Sequence, residues 1–372
     1  MEQPQVPVLL HAPFATAQAA RQATKGALEV ARCGSCGSLW NRLFEPGLIR
    51  YDESYDNSQG FSSAFEAHHE ERVERLAEIL GEGRSAVLEI GCGKGHFLSA
   101  LFDRLPGCEG SGFDGTYQGA PSTHGGRGRF HRRYLTHSEP AGHPDVILSR
   151  HVIEHVVDPS AFLRAALGPP GRHLGTRLVI ETPSAEWIVR HQMFFDLFYE
   201  HCVLYTAEGL EHALARVGFR ITRHERVFGE QYHWVEAEPG MRITPPRAVQ
   251  SSGRFALGRQ AFEDHIRALA RRSPGETWLW GAGAKGVTLA NWLDPEGRWF
   301  AGLVDQNPAK QGMYIPGSGH RICSPEDLMG RKVGTILVMN PCYLEEITAT
   351  AARVAPGAGV VLSVGTAGLV SG

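Results

Sequence analysis

"VLEIGCGKGHF", residues 87–97, decides how the chain is read. An apolar run opens it, three glycines follow at every second position, and apolar residues then resume at helical spacing. That texture is a strand, a tight turn and a helix that opens at His96 or Phe97. Gly91, Gly93 and Gly95 let the backbone turn sharply and approach a ligand, which the first helical amides then face. The spacing is not the G-x-G-x-x-G of dinucleotide folds, and no Lys-Ser pair follows as in a P-loop. Glu89 interrupts an otherwise apolar strand, where an unpaired carboxylate is costly, so it is expected to face a polar site. The next strand ends "GSGFDG", residues 110–115. Asp114, roughly 20 residues past the first glycine loop, is placed to hold both hydroxyls of a ribose. An Asp-Gly pair also makes an ordinary turn or cap.

Outward from this unit, short apolar runs alternate with helical stretches, the pattern of a parallel α/β sheet. The strands read are "AVLEIG", "GSGFD", "PDVILSR", "RLVIET", "FRITRHERVF" and "YHWVEAE". Before them, Val73, Leu76 and Leu80 mark a helix on which His68 and His69 are expected to be solvated. Residues 1–32 are Ala- and Gln-rich, and the first dozen are expected to be mobile. After them, "PGMRITPPRAVQSSGRFA" is a linker by composition, followed by a second α/β texture: helix 257–272, "TWLWG", a glycine turn, "FAGLVD", "GTILVMN" and "VVLSV". The expected division is 1–70, an N-terminal segment; 71–240, a ligand-binding α/β domain; 241–256, the linker; and 257–372, a smaller α/β domain.

The chain has 372 residues, 42% of them hydrophobic, with a formal net charge of -3 and a pI near 6.7. This is a globular multidomain composition, and it argues against a nucleic-acid or membrane-surface partner. No apolar run approaches the ~20 residues of a membrane span, and no signal-like segment opens the chain, so a cytoplasmic location is expected. Seven cysteines in so long a chain do not form a secreted disulfide framework.

"PDVILSRHVIEHVVDP", residues 144–159, completes a resemblance. The glycine loop, Asp114 and this strand with its following loop resemble the class I S-adenosylmethionine-dependent methyltransferases, in that family's order and spacing. The resemblance implies a Rossmann-like α/β sheet with helices on both faces and S-adenosyl-L-methionine as cofactor. It implies that Glu89, Gly91, Gly93 and Gly95 line the methionine and ribose end and that Asp114 binds the ribose. Ser149 and His151, in the loop after the fourth strand, or their neighbours would close over the sulfonium. Tyr134 or Leu135, in "FHRRYLTH", would pack on adenine.

Three flanking segments resemble one subgroup, the C-methyltransferases that act on nucleotide-linked keto-deoxysugars. "YDESYDNSQGFSSAFEAH", residues 51–68, is similar to a segment that lies over the cofactor, which brings Tyr55 and Ser58 to that site. "YEH", residues 199–201, followed by "LYT", is the second. The third is "WGAGAKGVTLANWL" with "LVDQNPAKQGMYIPGSGHRICSPEDL", similar to the subgroup's C-terminal domain, a second smaller Rossmann-like unit that serves the substrate. Lys285, Asn307, Lys310 and Asn340 are the substrate-binding candidates it supplies, with Lys285 a point charge for a diphosphate. The glycine turn around Lys285 reads equally as a tight strand-to-helix connection. Two departures stand out. The family's structural zinc uses two Cys-x-x-Cys pairs, but only Cys33 and Cys36 are present; one pair cannot fill a tetrahedral site, and His11 is the one further donor considered, so no metal is expected. "LVMNPCYLEEI", residues 337–347, replaces the family's Trp-Asn-Phe stretch.

Carbon methylation needs a carbanion or enol, hence a base beside an acidified carbon. In "FDLFYEHCVLYT", residues 195–206, His201 is the candidate base because imidazole titrates near neutrality. Glu200 would orient it or pair elsewhere, and Tyr199 would bond the developing enolate oxygen. A packed aromatic segment with an incidental histidine is the alternative. His151 and His155, four residues apart, are read as loop and helix residues rather than metal ligands. The expected activity is methyl transfer to carbon of a keto-deoxysugar or related natural-product intermediate, as in antibiotic biosynthesis, by a monomer or homodimer. O- or N-methylation, base-promoted cyclopropane-forming ring closure, and a non-catalytic cofactor-binding scaffold are the other readings.

Overall fold

The structure is a computed structural model that describes all residues except 1, 52–54, 57–59, 136–142, 168–174, 241–253, 273–274 and 363–372; for 2–4, 254–259, 261, 272 and 362 it describes the backbone alone. Most of the expected linker thus lies outside the described residues, as does Ser58.

An eight-stranded sheet forms the centre. Its parallel core runs 128–131, 108–113, 85–90, 146–150, 177–183, and each of these pairs in parallel with its neighbours. The antiparallel hairpin of Phe219–Val227 and Tyr232–Pro239 closes one edge, with Tyr232–Pro239 lying against Arg177–Pro183. Strand Ser85–Ile90 is nearly all buried, as expected of a strand covered on both faces. Separate apolar clusters lie on its two sides, one around Leu98, Leu101 and Phe102 and the other around Ile147, Leu163 and Leu214. The loop from Gly91 to Gly95, and Asp114 after Cys108–Phe113, therefore share the carboxyl edge of the parallel strands, where open α/β sheets bind ligands.

The C-terminal unit is a five-stranded parallel sheet in the order 322–323, 300–304, 277–280, 335–338, 359–362. Strand order reverses on either side of Thr277–Trp280, which puts a crevice at the glycine turn that follows it. The mixed α/β class is thus present in both large units.

The N-terminal residues depart from expectation. Glu2–Pro7 is a strand paired with Lys25–Arg32, and Val6, Val8 and Leu10 are 6%, 1% and 3% exposed. The apolar alternation there is short, which hides it among the Ala and Gln residues. Leu39–Asn41 and Val203–Leu204 extend this sheet to four strands. Phe14 bridges Tyr314, and Leu10 joins the apolar cluster that holds Phe194, Phe262 and Leu279. The segment therefore fastens the two α/β units to each other.

Candidate active site

Two cavities meet between the α/β units. The first, about 410 Å³, opens at the carboxyl edge of the large sheet and is walled by Gly91, Gly93, Asp114, Tyr134, Leu135, Arg150 and His151, with Tyr51 and Tyr55 from the N-terminal segment. Its size falls among ligand pockets of about 300–1,000 Å³. Gly93 carries a φ of +52°, and a Cβ there would meet nothing within 4 Å, so the backbone lies bare toward open space. Gly91 has a φ of +75°, and a Cβ would collide with Val152. The Asp114 carboxylate accepts from Gly93 N at 2.9 Å and from Thr116 N and Oγ1 at 2.7 Å each, which fixes it at the cavity mouth. Tyr134 is 64% exposed on the cavity wall, its ring close over Gly115. A bare glycine backbone, a fixed carboxylate and an exposed aromatic fit the methionine, ribose and adenine parts of S-adenosyl-L-methionine.

Some expected contacts are absent from that wall. Glu89 is 2% exposed, its Oε2 has no partner, and burial pushes its carboxyl up to about 8. Ser149 is 1% exposed with an unpartnered Oγ. Both lie in strands covered on each face and behind the wall residues, so neither lines the cavity as expected. Gly95 has its Cβ position filled by the Phe130 ring, so it serves packing.

The second cavity, about 240 Å³, is the cleft between the two units. His11, Glu154, Asp196, Glu200 and His201 wall one side, and Lys285, Asp305, Lys310 and Asn340 wall the other. Tyr55, His151 and His155 belong to both cavities and mark where they join. His151 holds a φ of +53°, unusual for a non-glycine residue, and its Nε2 has no hydrogen-bond partner.

The three residues of the triplet diverge, because they occupy a turn rather than a strand. Tyr199 is fully buried among Val6, Val8 and Leu28, its hydroxyl accepts from Glu45 N at 2.9 Å, and it does not reach the cleft. The expected enolate contact is thus replaced by packing in the N-terminal sheet. Glu200 does not touch His201: its Oε1 accepts from Leu10 N at 2.6 Å and its Oε2 from Tyr55 at 2.8 Å. Burial raises its carboxyl to about 7. His201 faces the cleft with its ring 4.0 Å from Phe198 and 4.8 Å from His155. Burial first, then the neighbouring His155, His151, His11 and Lys285, hold its pKa well below the ordinary histidine value.

On the opposite wall the second glycine turn repeats the first. Ala282 N donates to Asp305 Oδ2 at 2.8 Å as Gly93 N does to Asp114, and Asn307 N donates to Asp305 Oδ1 at 2.8 Å as Thr116 N does. Lys285 Nζ donates to Gln231 at 2.6 Å, lies 3.2 Å from Asp196 and sits over the Trp187 ring. Lys310 is 4% exposed on the cleft wall. Asn340 accepts from Gln231 at 2.8 Å. Asn307 is not on the wall: its amide donates to Asp56 at 3.3 Å and its oxygen caps Ala309, so it closes a turn.

Other expectations also move. His68 is 5% exposed and meets Glu181 at 2.6 Å, so it is a core residue rather than a solvated one; His69 is half-buried against Phe97. His11 lies in the cleft beside Tyr55, not at the cysteines, and burial holds it at about 3. Cys33 and Cys36 are free in the connection after Lys25–Arg32, and among the described residues they belong to no cluster of three metal donors. Tyr51 was missed as a site residue; its hydroxyl meets His155 Nδ1 at 3.0 Å, and its signal was the aromatic pair in "YDESY". Glu154 was missed because a buried carboxylate between two histidines reads as part of a loop.

Two family models match the chain: a methyltransferase domain over residues 64–224 and a C-methyltransferase C-terminal domain over residues 256–364. No sequence among the curated proteins matches it. Solved structures with a similar fold include the calicheamicin-biosynthesis methyltransferase CalO1 with bound SAH, at 18% identity over 46% of this chain and 55% of that one, with a TM-score of 0.35. They also include the 1,6-didemethyltoxoflavin N1-methyltransferase of Burkholderia thailandensis, at 17% identity over 47% and 79% with a TM-score of 0.36. The magnesium protoporphyrin IX methyltransferase of Synechocystis PCC 6803 is a third, at 17% over 48% and 86% with a TM-score of 0.37. The chain spans about half the length of the first of these, 55%. The two family models, not these distant likenesses, carry the assignment. The chain thus carries a methyltransferase domain followed by a C-terminal domain of the C-methyltransferase kind.

Proposed function

We propose that the chain methylates carbon in a nucleotide-linked keto-deoxysugar or related natural-product intermediate, with His201 as the base that enolises it. The observation that carries this reading is a half-buried imidazole, its cation disfavoured, in a cleft that joins the cofactor cavity at Tyr55, His151 and His155. Desolvation first, and then the neighbouring His155, His151, His11 and Lys285, disfavour the His201 cation, so it enters the reaction ready to accept a proton.

When bound, S-adenosyl-L-methionine supplies an electrophilic methyl group. Asp114 and the Gly93 backbone hold its nucleoside end, and Tyr134 and Leu135 cover the ring. Tyr55 closes the junction while its bond to Glu200 keeps that carboxylate away from the imidazole. Lys285 and Lys310 face a diphosphate across the cleft, and Asp305 stands where Asp114 stands in the first unit, suited to a second ribose. A nucleotide handle on the substrate accounts for that repeated arrangement, and a ketone accounts for the base.

The test is one incubation with S-adenosylmethionine and a nucleotide-linked keto-deoxysugar, read by mass spectrometry and NMR. The expected outcome is S-adenosylhomocysteine together with a product one methyl heavier, the methyl on carbon beside the carbonyl. A methyl on oxygen or nitrogen would contradict the base.

A further inference from the structure

The cleft holds three donors that the proposed chemistry does not use together. Glu154, His155 and His201 each offer one ligand atom, and these atoms lie within 4.8 Å of one another. We propose that this set is a binding site for a divalent transition-metal ion of the zinc type, and that the ion, when bound, arrests the enzyme by occupying its base.

Glu154 is 0% exposed. Its Oε2 accepts from Thr182 at 2.9 Å, while its Oε1 is buried with no hydrogen-bond partner, His151 Nδ1 standing 3.7 Å away. A buried carboxylate oxygen without a hydrogen bond is costly, and a cation supplies the missing interaction. His201 Nδ1 is likewise buried without a partner. His155 has its Nδ1 held by Tyr51 at 3.0 Å, the kind of outer contact that orients a metal-bound imidazole. Two imidazoles and a carboxylate form a set suited to Zn²⁺, with a further position open toward the cleft. Bonds of about 2.0–2.2 Å place tetrahedral donors roughly 3.5 Å apart, so the set closes on an ion by small side-chain movements.

The inhibitory part rests on the reading of His201 as base; the binding part does not. An imidazole that gives one nitrogen to a metal carries its proton on the other, so it has no lone pair left for the substrate. This follows whichever nitrogen takes the ion.

The probe is Co²⁺, titrated into metal-stripped full-length protein and followed by visible d–d absorption. One ion per chain is expected, displaced by Zn²⁺. Binding should weaken at least ten-fold in Glu154→Gln and in His155→Ala and stay unchanged in the Cys33→Ser/Cys36→Ser double variant. Absence of d–d bands in the wild type overturns the site whether or not the variants fold, as does binding that survives Glu154→Gln but vanishes with the cysteines. On a nucleotide-linked keto-deoxysugar, Zn²⁺ should halt carbon–hydrogen exchange and a chelator should restore it; exchange that persists with the ion bound overturns the inhibitory role. If His201→Ala exchanges at the wild-type rate, the base reading fails while the Co²⁺ titration still decides the site.

Discussion

Asp114 illustrates how one side chain ties two loops together at a cavity mouth. Its carboxylate already holds Gly93 N and Thr116, so under the proposed function it would bind a ribose hydroxyl without rearrangement. A hydrogen bond to a charged group contributes about 1.5–3 kcal/mol. Asp114→Ala is therefore expected to weaken S-adenosylmethionine binding roughly 10- to 150-fold in calorimetry, and an unchanged Kd would remove Asp114 from the cofactor site. Glu89 makes a different case, a carboxyl pushed up to about 8 by burial. For a carboxyl raised in the folded state, the stability linked to its proton is present below the unfolded value near 4.5 and is lost as pH rises through 8. Glu89→Gln lacks that loss. Its melting temperature relative to wild type should thus climb between pH 5 and pH 8 in cofactor-free protein; a difference that stays flat across this window would mean Glu89 is solvated.

At the scale of elements, the strand–glycine–helix units were legible because their signals are local. Ser85–Ile90 and Thr277–Trp280 form where apolar runs meet glycine turns, and Cys108–Phe113 and Phe300–Val304 where they end at Asp114 and Asp305. The site's far members were not legible for the opposite reason. His11, Tyr51 and Glu154 acquire their roles only when the N-terminal strand docks between the two units, a pairing that no periodicity encodes. The triplet misled for the same cause: residues 199–201 turn, so Tyr199 goes to the N-terminal sheet, Glu200 to Tyr55 and His201 to the cleft. The bond from Tyr55 to Glu200 lets the covering segment be tested. Tyr55→Phe removes the hydroxyl that holds Glu200 Oε2 and leaves the ring in place, so KM for the cofactor should change little while turnover falls. A rise in that KM with turnover intact would make Tyr55 a simple cofactor contact. The cysteine turn calls for a separate check. With two donors only, the zinc content of purified protein should be the same in wild type and in the Cys33→Ser/Cys36→Ser variant; a fall of one ion per chain in the variant would reveal a ligand set around the cysteines.

In the whole molecule, the proposed function draws on both α/β units, whose strand ends line one cleft. One cavity lies on the glycine loop of the first unit, the other runs to the glycine turn of the second, and His151, His155 and Tyr55 stand at the junction. On the proposed function, His201 stands beside the place where a methyl group and an acidified carbon would meet. Because its pKa lies well below the ordinary value, the acid limb of turnover should fall below pH 6.5 rather than at it. General-base catalysis contributes about 10²–10⁴-fold, so His201→Ala should lose that much in turnover and keep its cofactor affinity. The most direct measurement is hydrogen exchange in heavy water at the carbon next to the carbonyl of a nucleotide-linked keto-deoxysugar, with no methyl transfer allowed. The account predicts that wild-type protein incorporates deuterium there and His201→Ala does not; deuterium incorporation by His201→Ala at the wild-type rate would contradict it.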